Sequence, residues 1–274
     1  MPATSPTAEP TTEHELEIEG MAVRVYPDAP SASRAAALAI ARTVREATAA
    51  RGRAVLGLAT GKTPIPVYDE LAALHRRGEL SFRDVSTYNL DEYYPIAPTD
   101  PNSYRTFMGR HLFSRVDLAP NRAHLLDGSV PEAFADDHGA AFDRWIAAEG
   151  GLDLQLLGIG RNGHVGFNEP TDLPLADALA LPTRLAPLAE TTLDDAAADF
   201  AGDRSAVPPG ALTVGLAPIL AARSILVLAF GPRKAAIVSR ALRGPITPQV
   251  PATLLRHARG RVTWLVDRSA FAAP

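Results

Sequence analysis

Cysteine is absent from the 274 residues. That excludes disulfides, thiolate nucleophiles, Cys-ligated zinc and iron–sulfur clusters. Lysine is nearly absent as well: of 27 basic residues, only Lys62 and Lys234 are lysine. No apolar run approaches the ~18 residues of a membrane span. Basic charge is not in excess, since the formal net charge is −4, which argues against nucleic acid or an anionic membrane as partner. The first twenty residues lack the basic start and apolar stretch of a signal peptide. Residues 1–20 are expected to be a disordered leader, and the protein is expected to be cytoplasmic. What remains is ordinary globular composition, 46% hydrophobic and 21% charged, enough for one domain over 21–274.

Apolar patterning predicts strands at 21–28, 53–59, 84–90, 152–160, 211–215, 224–230 and 261–267. Helices are predicted at 31–52 with a Ser cap, after Pro64, at 104–116, 131–151 and 231–244. Residues 171–209 are rich in Pro, Ala and Asp with weak periodicity. They predict short helices and loop, a lid over a site rather than part of a sheet. Strands alternating with helices imply a Rossmann-like fold: a doubly wound, mostly parallel α/β sheet with helices on both faces. Ligands of such sheets bind beyond the carboxyl ends of the strands. Four polar segments fall at those ends: TGKT, NLDEYY, GIGRNGH and FGPRK.

Two familiar motifs fail on inspection. GLATGKT has three residues between its glycines where a P-loop needs four, and Pro64 follows directly. GIGRNG has the GxGxxG form but leads into HVGFNEP, which is no helix, so a dinucleotide fingerprint is excluded. There is no GxSxG elbow for a serine hydrolase. A Gly turn that opens a helix still suits an anion, and Thr60, Gly61, Lys62 and Thr63 supply donors there. Lys234 opposes the dipole at the start of its helix, a conflict that a bound anion would remove. Both lysines thus stand where a strand hands over to a helix, which points to one phosphate site. Of Asp91 and Glu92, alternation lets only one face the cleft, where a carboxylate at a strand end is a candidate general base. His164 is a candidate acid or base near neutral pH, with Glu169 close enough to orient it and Asn162 able to hydrogen-bond but not to take a proton. One His and one Glu make no metal signature.

At these residues the chain resembles the glucosamine-6-phosphate deaminases, within the wider group that holds the 6-phosphogluconolactonases. The resemblance runs over nearly the whole chain from residue 21. It rests on GLATGKTP (57–64), NLDEYY with NSYRTFM (102–108), LGIGRNGHVGFNEP (157–170), ALTVG (211–215) and FGPRKA (230–235). FNEP favours the deaminase branch. The resemblance implies a doubly wound α/β fold and cofactor-free, metal-free conversion of glucosamine 6-phosphate and water to fructose 6-phosphate and ammonia. It makes Asp91 the base acting between C2 and C1. His164 becomes the ring-opening residue, supported by Asn162 and Glu169, and the TGKT loop with Lys234 holds the phosphate. The alternatives are a galactosamine-6-phosphate deaminase, a 6-phosphogluconolactonase-type hydrolase, or a non-catalytic sugar-phosphate sensor. A homo-oligomer is left open. The chain departs from the family at Ala198 and Asp199, where an arginine and an aromatic residue are usual, and at Lys62, usually Ser or Gly. Arg184 matches a position linked to allosteric binding in hexameric members, but Ala186 stands where its basic companion would be.

Overall fold

The computed structural model describes residues 9–271. Eleven strands form two sheets: β1 (His14–Ile18), β2 (Met21–Tyr26), β3 (Ala54–Leu58), β4 (Val85–Asn89), β5 (Asp91–Tyr94), β6 (Ala123–His124), β7 (Leu154–Gly158), β8 (Arg184–Pro187), β9 (Gly210–Thr213), β10 (Ile225–Ala229) and β11 (Val262–Asp267). The principal sheet has the order β1-β2-β11-β10-β7-β3-β4-β6 and is parallel except for the antiparallel β1–β2 pair. From β3 the chain builds outward through β4 and β6, and from β7 it builds the other way through β10 and β11. The β3–β7 boundary is therefore the switch point, where the crossovers on either side diverge and open a crevice.

The helices are α1 (Ala29–Arg51), α2 (Ile65–Arg76), α3 (Tyr104–His111), α4 (Ala135–Ala148), α5 (Leu175–Leu179), α6 (Glu190–Ala196), α7 (Leu216–Ala221), α8 (Ala235–Arg243) and α9 (Arg268–Phe271). Strands covered on both faces need apolar residues on both, and β3 is buried throughout. Ala54, Leu56 and Leu58 join the core beneath α1 and α2, while Val55 joins the one beneath α4 and α8. Phe142 of α4 is fully buried against that second face, edge-on to Tyr88 with centroids 5.3 Å apart. Burying one such ring stabilises the fold by roughly 1.5–3 kcal/mol.

The expected fold class is the one observed. Four local expectations change. Part of the leader is ordered, because the alternating His14–Ile18 pairs with β2; residues 1–8 lie outside the described residues. Helix α1 is capped by Asp28, whose carboxylate accepts from the Ser31 backbone N–H at 2.8 Å, rather than by a serine. Third, 211–215 does not extend the large sheet. Its strand β9 pairs antiparallel with β5 and β8 in a separate three-stranded sheet. That small sheet carries Asp91 at its edge. It also covers a third apolar cluster that includes Tyr93, Phe167, Phe200 and Ala211. Segment 171–209 contributes α5, α6 and two short 3-10 turns but does not, as expected, stay outside the sheets: its Arg184–Pro187 pairs with β9 as the strand β8, because β9 leaves the large sheet and offers it an edge.

Candidate active site

A cavity of about 550 Å³ opens at the carboxyl ends of the strands. All four polar segments line it: Thr60–Thr63 after β3, Asp91 after β4, Gly158–Arg161 with His164 after β7, and Arg233 with Lys234 after β10. Thr192, Asp194, Asp195 and Asp199 form an acidic wall, and Tyr93, Tyr104 and Phe167 form an aromatic one. This size and polarity suit one sugar-sized ligand.

Asp91 and Glu92 separate as strand alternation requires. Asp91 lines the cavity, and Thr60 Oγ1 donates to its Oδ1 at 3.3 Å. Burial, reinforced by the neighbouring Glu92 charge, pushes the Asp91 carboxyl up to about 7. Glu92 points away and accepts from the backbone N–H groups of Tyr93, Tyr104 and Arg105 at 2.8–3.0 Å. Behind the Ser103 N-cap it satisfies the first free N–H groups of α3, and burial, only partly offset by these bonds, pushes its carboxyl up to about 7.

His164 lines the cavity on the side of the β7 loop. Its Nδ1 lies 3.3 Å from Glu169 Oε2. Asn162 Nδ2 donates to the same Oε2 at 2.7 Å, while Asn162 Oδ1 accepts from the His164 backbone N–H at 3.1 Å. Burial raises the Glu169 carboxyl, but hydrogen bonds from His164, Thr192 and Asn162 outweigh it and hold the group below its ordinary value. Glu169 is thus an ionised partner for an imidazole, and Asn162 and Glu169 stand behind His164 rather than in the cavity. Two glycines make this loop close. Gly163 takes φ 90°, a left-handed conformation that favours glycine, and Gly160 packs directly under the His164 ring, where a Cβ would lie 2.3–2.5 Å from ring atoms. FNEP is held from behind: Asn168 Nδ2 donates to the carbonyls of Val165 and Val214, and Arg184 Nη1 donates to Asn168 Oδ1 at 2.9 Å. Arg184 here braces the β7 loop.

Both lysines also line the cavity. Lys234 Nζ donates to the Ile159 carbonyl at 2.7 Å, and burial lowers its pKa from the ordinary lysine value. It caps the amino end of α8 after a 3-10 turn, one step outside the helix. Lys62 lies at the mouth, paired with Asp199 at 2.9 Å. Gly61 has φ 98°, which turns the loop into α2.

The sequence reading missed Thr192, Arg161 and the acidic wall. Thr192 Oγ1 donates to Glu169 Oε1 at 2.6 Å, and Arg161 pairs with Asp195 at 2.5 Å. Segment 190–199 is far from the β7 loop in sequence, and nothing in its composition signals that partnership. Among the described residues no group of three or more His, Asp or Glu side chains could hold a metal ion. None of the described helices is long and apolar enough to cross a membrane.

Residues 27–264 match the model of the glucosamine-6-phosphate isomerases/6-phosphogluconolactonase family. The chain belongs to that family. It is 44% identical over 241 residues to glucosamine-6-phosphate deaminase 2 of Giardia intestinalis, covering 88% of each chain. The glucosamine-6-phosphate deaminase of Beutenbergia cavernae is 43% identical over 241 residues, 88% of this chain and 89% of that one. Among solved structures, a monomeric glucosamine-6-phosphate deaminase superposes with a TM-score of 0.82 at 37% identity, over 90% of this chain and 98% of its own. The 6-phosphogluconolactonase of Trypanosoma brucei shares the fold, with a TM-score of 0.74 at 20% identity over 93% and 98% of the two chains.

Proposed function

We propose that this family member is a glucosamine-6-phosphate deaminase, converting glucosamine 6-phosphate and water to fructose 6-phosphate and ammonia. One observation carries the reading: a buried carboxylate, Asp91, and a carboxylate-backed imidazole, His164, face one cavity that both lysines also line. An aldose–ketose rearrangement needs a base for carbon and an acid–base for oxygen, and these groups match both. His164 takes the proton of the anomeric hydroxyl and passes it to the ring oxygen, opening the sugar. Asp91 removes the proton from C2 and returns it to C1, while the C2 amine gives up a proton and the C1 oxygen gains one, leaving an imine at C2 and a hydroxyl at C1. Water adds to that carbon and ammonia departs. A base with a pKa near 7 is matched to a neutral operating pH.

Thr60, Gly61, Lys62, Thr63 and Lys234 are assigned to the phosphate, whose binding energy positions carbons several ångströms away. Residues 171–209 act as the lid of a single domain spanning 21–274. A phosphorylated sugar does not cross membranes unaided, so we place the reaction in the cytoplasm.

The test is release of ammonia and fructose 6-phosphate from glucosamine 6-phosphate by purified protein. Stoichiometric release supports the reading. Absence of release, with turnover of galactosamine 6-phosphate or of 6-phosphogluconolactone instead, moves the assignment to that substrate. The phosphate assignment has its own check. Lys234→Ala is expected to raise KM for glucosamine 6-phosphate by about 10–100-fold, the worth of one charge-assisted hydrogen bond, with a smaller change in kcat. Steady-state kinetics showing an unchanged KM would remove Lys234 from the phosphate site.

A further inference from the structure

We propose that Thr192 is a positioning residue for the His164–Glu169 pair, and that its hydroxyl, delivered by the lid, fixes which nitrogen of His164 carries the proton. The inference rests on the catalytic reading given above. Glu169 is held by three side chains: Asn162, His164 and Thr192. Asn162 and His164 belong to the same β7 loop as Glu169. Thr192 alone comes from elsewhere, from α6 in the lid, and it is buried at 5% exposure.

A threonine hydroxyl has one proton. At 2.6 Å that proton is committed to Glu169 Oε1. The same Oγ1 also lies 3.3 Å from His164 Nδ1, so toward the imidazole it presents a lone pair. The other oxygen near Nδ1 is Glu169 Oε2, an acceptor as well. With acceptors on both approaches, Nδ1 holds the proton and Nε2 keeps its lone pair for the ring-opening proton transfer.

The lid that delivers Thr192 is fastened at the mouth of the cavity. Arg161 donates to Asp195, one turn along from Thr192, and Lys62 pairs with Asp199 just beyond α6. Seating of the lid and completion of the pair behind His164 are therefore one event. The segment that walls the cavity is thus also the one that sets the imidazole in its working tautomer.

The test separates the hydroxyl from the packing. Thr192→Val keeps the branched shape and removes the hydroxyl; Thr192→Ser does the reverse. Thr192→Val is expected to lower kcat about 10–100-fold with KM for glucosamine 6-phosphate changing less than about threefold, while Thr192→Ser stays within about threefold of wild type. In ¹⁵N NMR of the full chain, the His164 resonances, assigned by their loss in His164→Gln, are expected to show the Nδ1–H form in wild type and Thr192→Ser. Thr192→Val, which leaves Glu169 Oε2 as the one acceptor toward Nδ1, should show a larger Nε2–H fraction than wild type. Thr192→Ser being as impaired as Thr192→Val would assign the residue to packing and overturn the inference. So would an unchanged tautomer in Thr192→Val. If wild type releases no ammonia from glucosamine 6-phosphate, the substrate assignment fails, and the NMR comparison still decides what Thr192 does.

Discussion

Asp91→Asn is expected to lower kcat on glucosamine 6-phosphate by about 10³-fold or more while ligand binding persists. The amide keeps the shape of the carboxyl and the contact with Thr60 but cannot accept a carbon-bound proton. Two further readouts separate lost chemistry from lost structure. In wild type the base form is needed, so kcat/KM should climb as pH rises through about 7, the value to which burial raises Asp91, and level off above it. The second readout is stability. The folded-state pKa lies above the ordinary 3.8, so the folded protein holds this proton more tightly than the unfolded chain between about pH 4 and pH 7. The Asp91 contribution is therefore fully present at low pH and is lost as pH rises through 7. Thermal denaturation at pH 8 should show Asp91→Asn melting above wild type. A variant that is more stable and inactive has lost a catalytic group that the fold is strained to hold charged. Retained turnover in Asp91→Asn would remove Asp91 from the reaction.

His164→Ala should have the next largest effect, a fall in kcat of about 10²–10⁴-fold. Ring opening would then depend on the slow spontaneous reaction, so the residual rate should follow the small open-chain fraction of the sugar. Gly160→Ala offers an independent approach that leaves every ionisable group in place. Its Cβ would fall 2.3 Å from His164 Cε1 and 2.4 Å from Nε2, with the backbone fixed on one side. The imidazole must rotate or retreat, and its proton transfer with it. Kinetics in which Gly160→Ala matches wild type would show that the ring tolerates displacement and that its placement over Gly160 is incidental to catalysis.

Asp91 and His164 both stand out in the sequence as polar residues just past apolar strands. Alternation along 84–92 was sufficient to say that one of Asp91 and Glu92 faces the cleft. Their different fates followed only from the start of α3, twelve residues beyond Glu92, whose first N–H groups donate to the Glu92 carboxylate. Gly57 shows the opposite case. In the sequence it is the first glycine of a near-P-loop. In the structure a Cβ there would meet the Gln155 side chain at 2.1 Å, so this glycine makes room for a buried glutamine on the neighbouring strand. The small sheet was invisible for a related reason. Strand patterning reports burial, and 211–215 is equally buried whether it extends a parallel sheet or pairs across β5 and β8.

By itself the sequence determined the α/β class, the four strand-end segments and the identity of Asp91, His164 and Glu169 as candidate acid–base groups. These depend on local rules: strand and helix periods, the glycines that permit tight turns, and the chemistry of each side chain. Only the tertiary structure decided what those groups touch. It set Asp91 in a burial deep enough to raise its pKa, placed Arg184 behind FNEP as a brace, paired Lys62 with Asp199, and brought Thr192 across 23 residues onto Glu169. Burial and long-range hydrogen bonds are properties of the packed chain, because a carboxylate is desolvated only when other elements close over it.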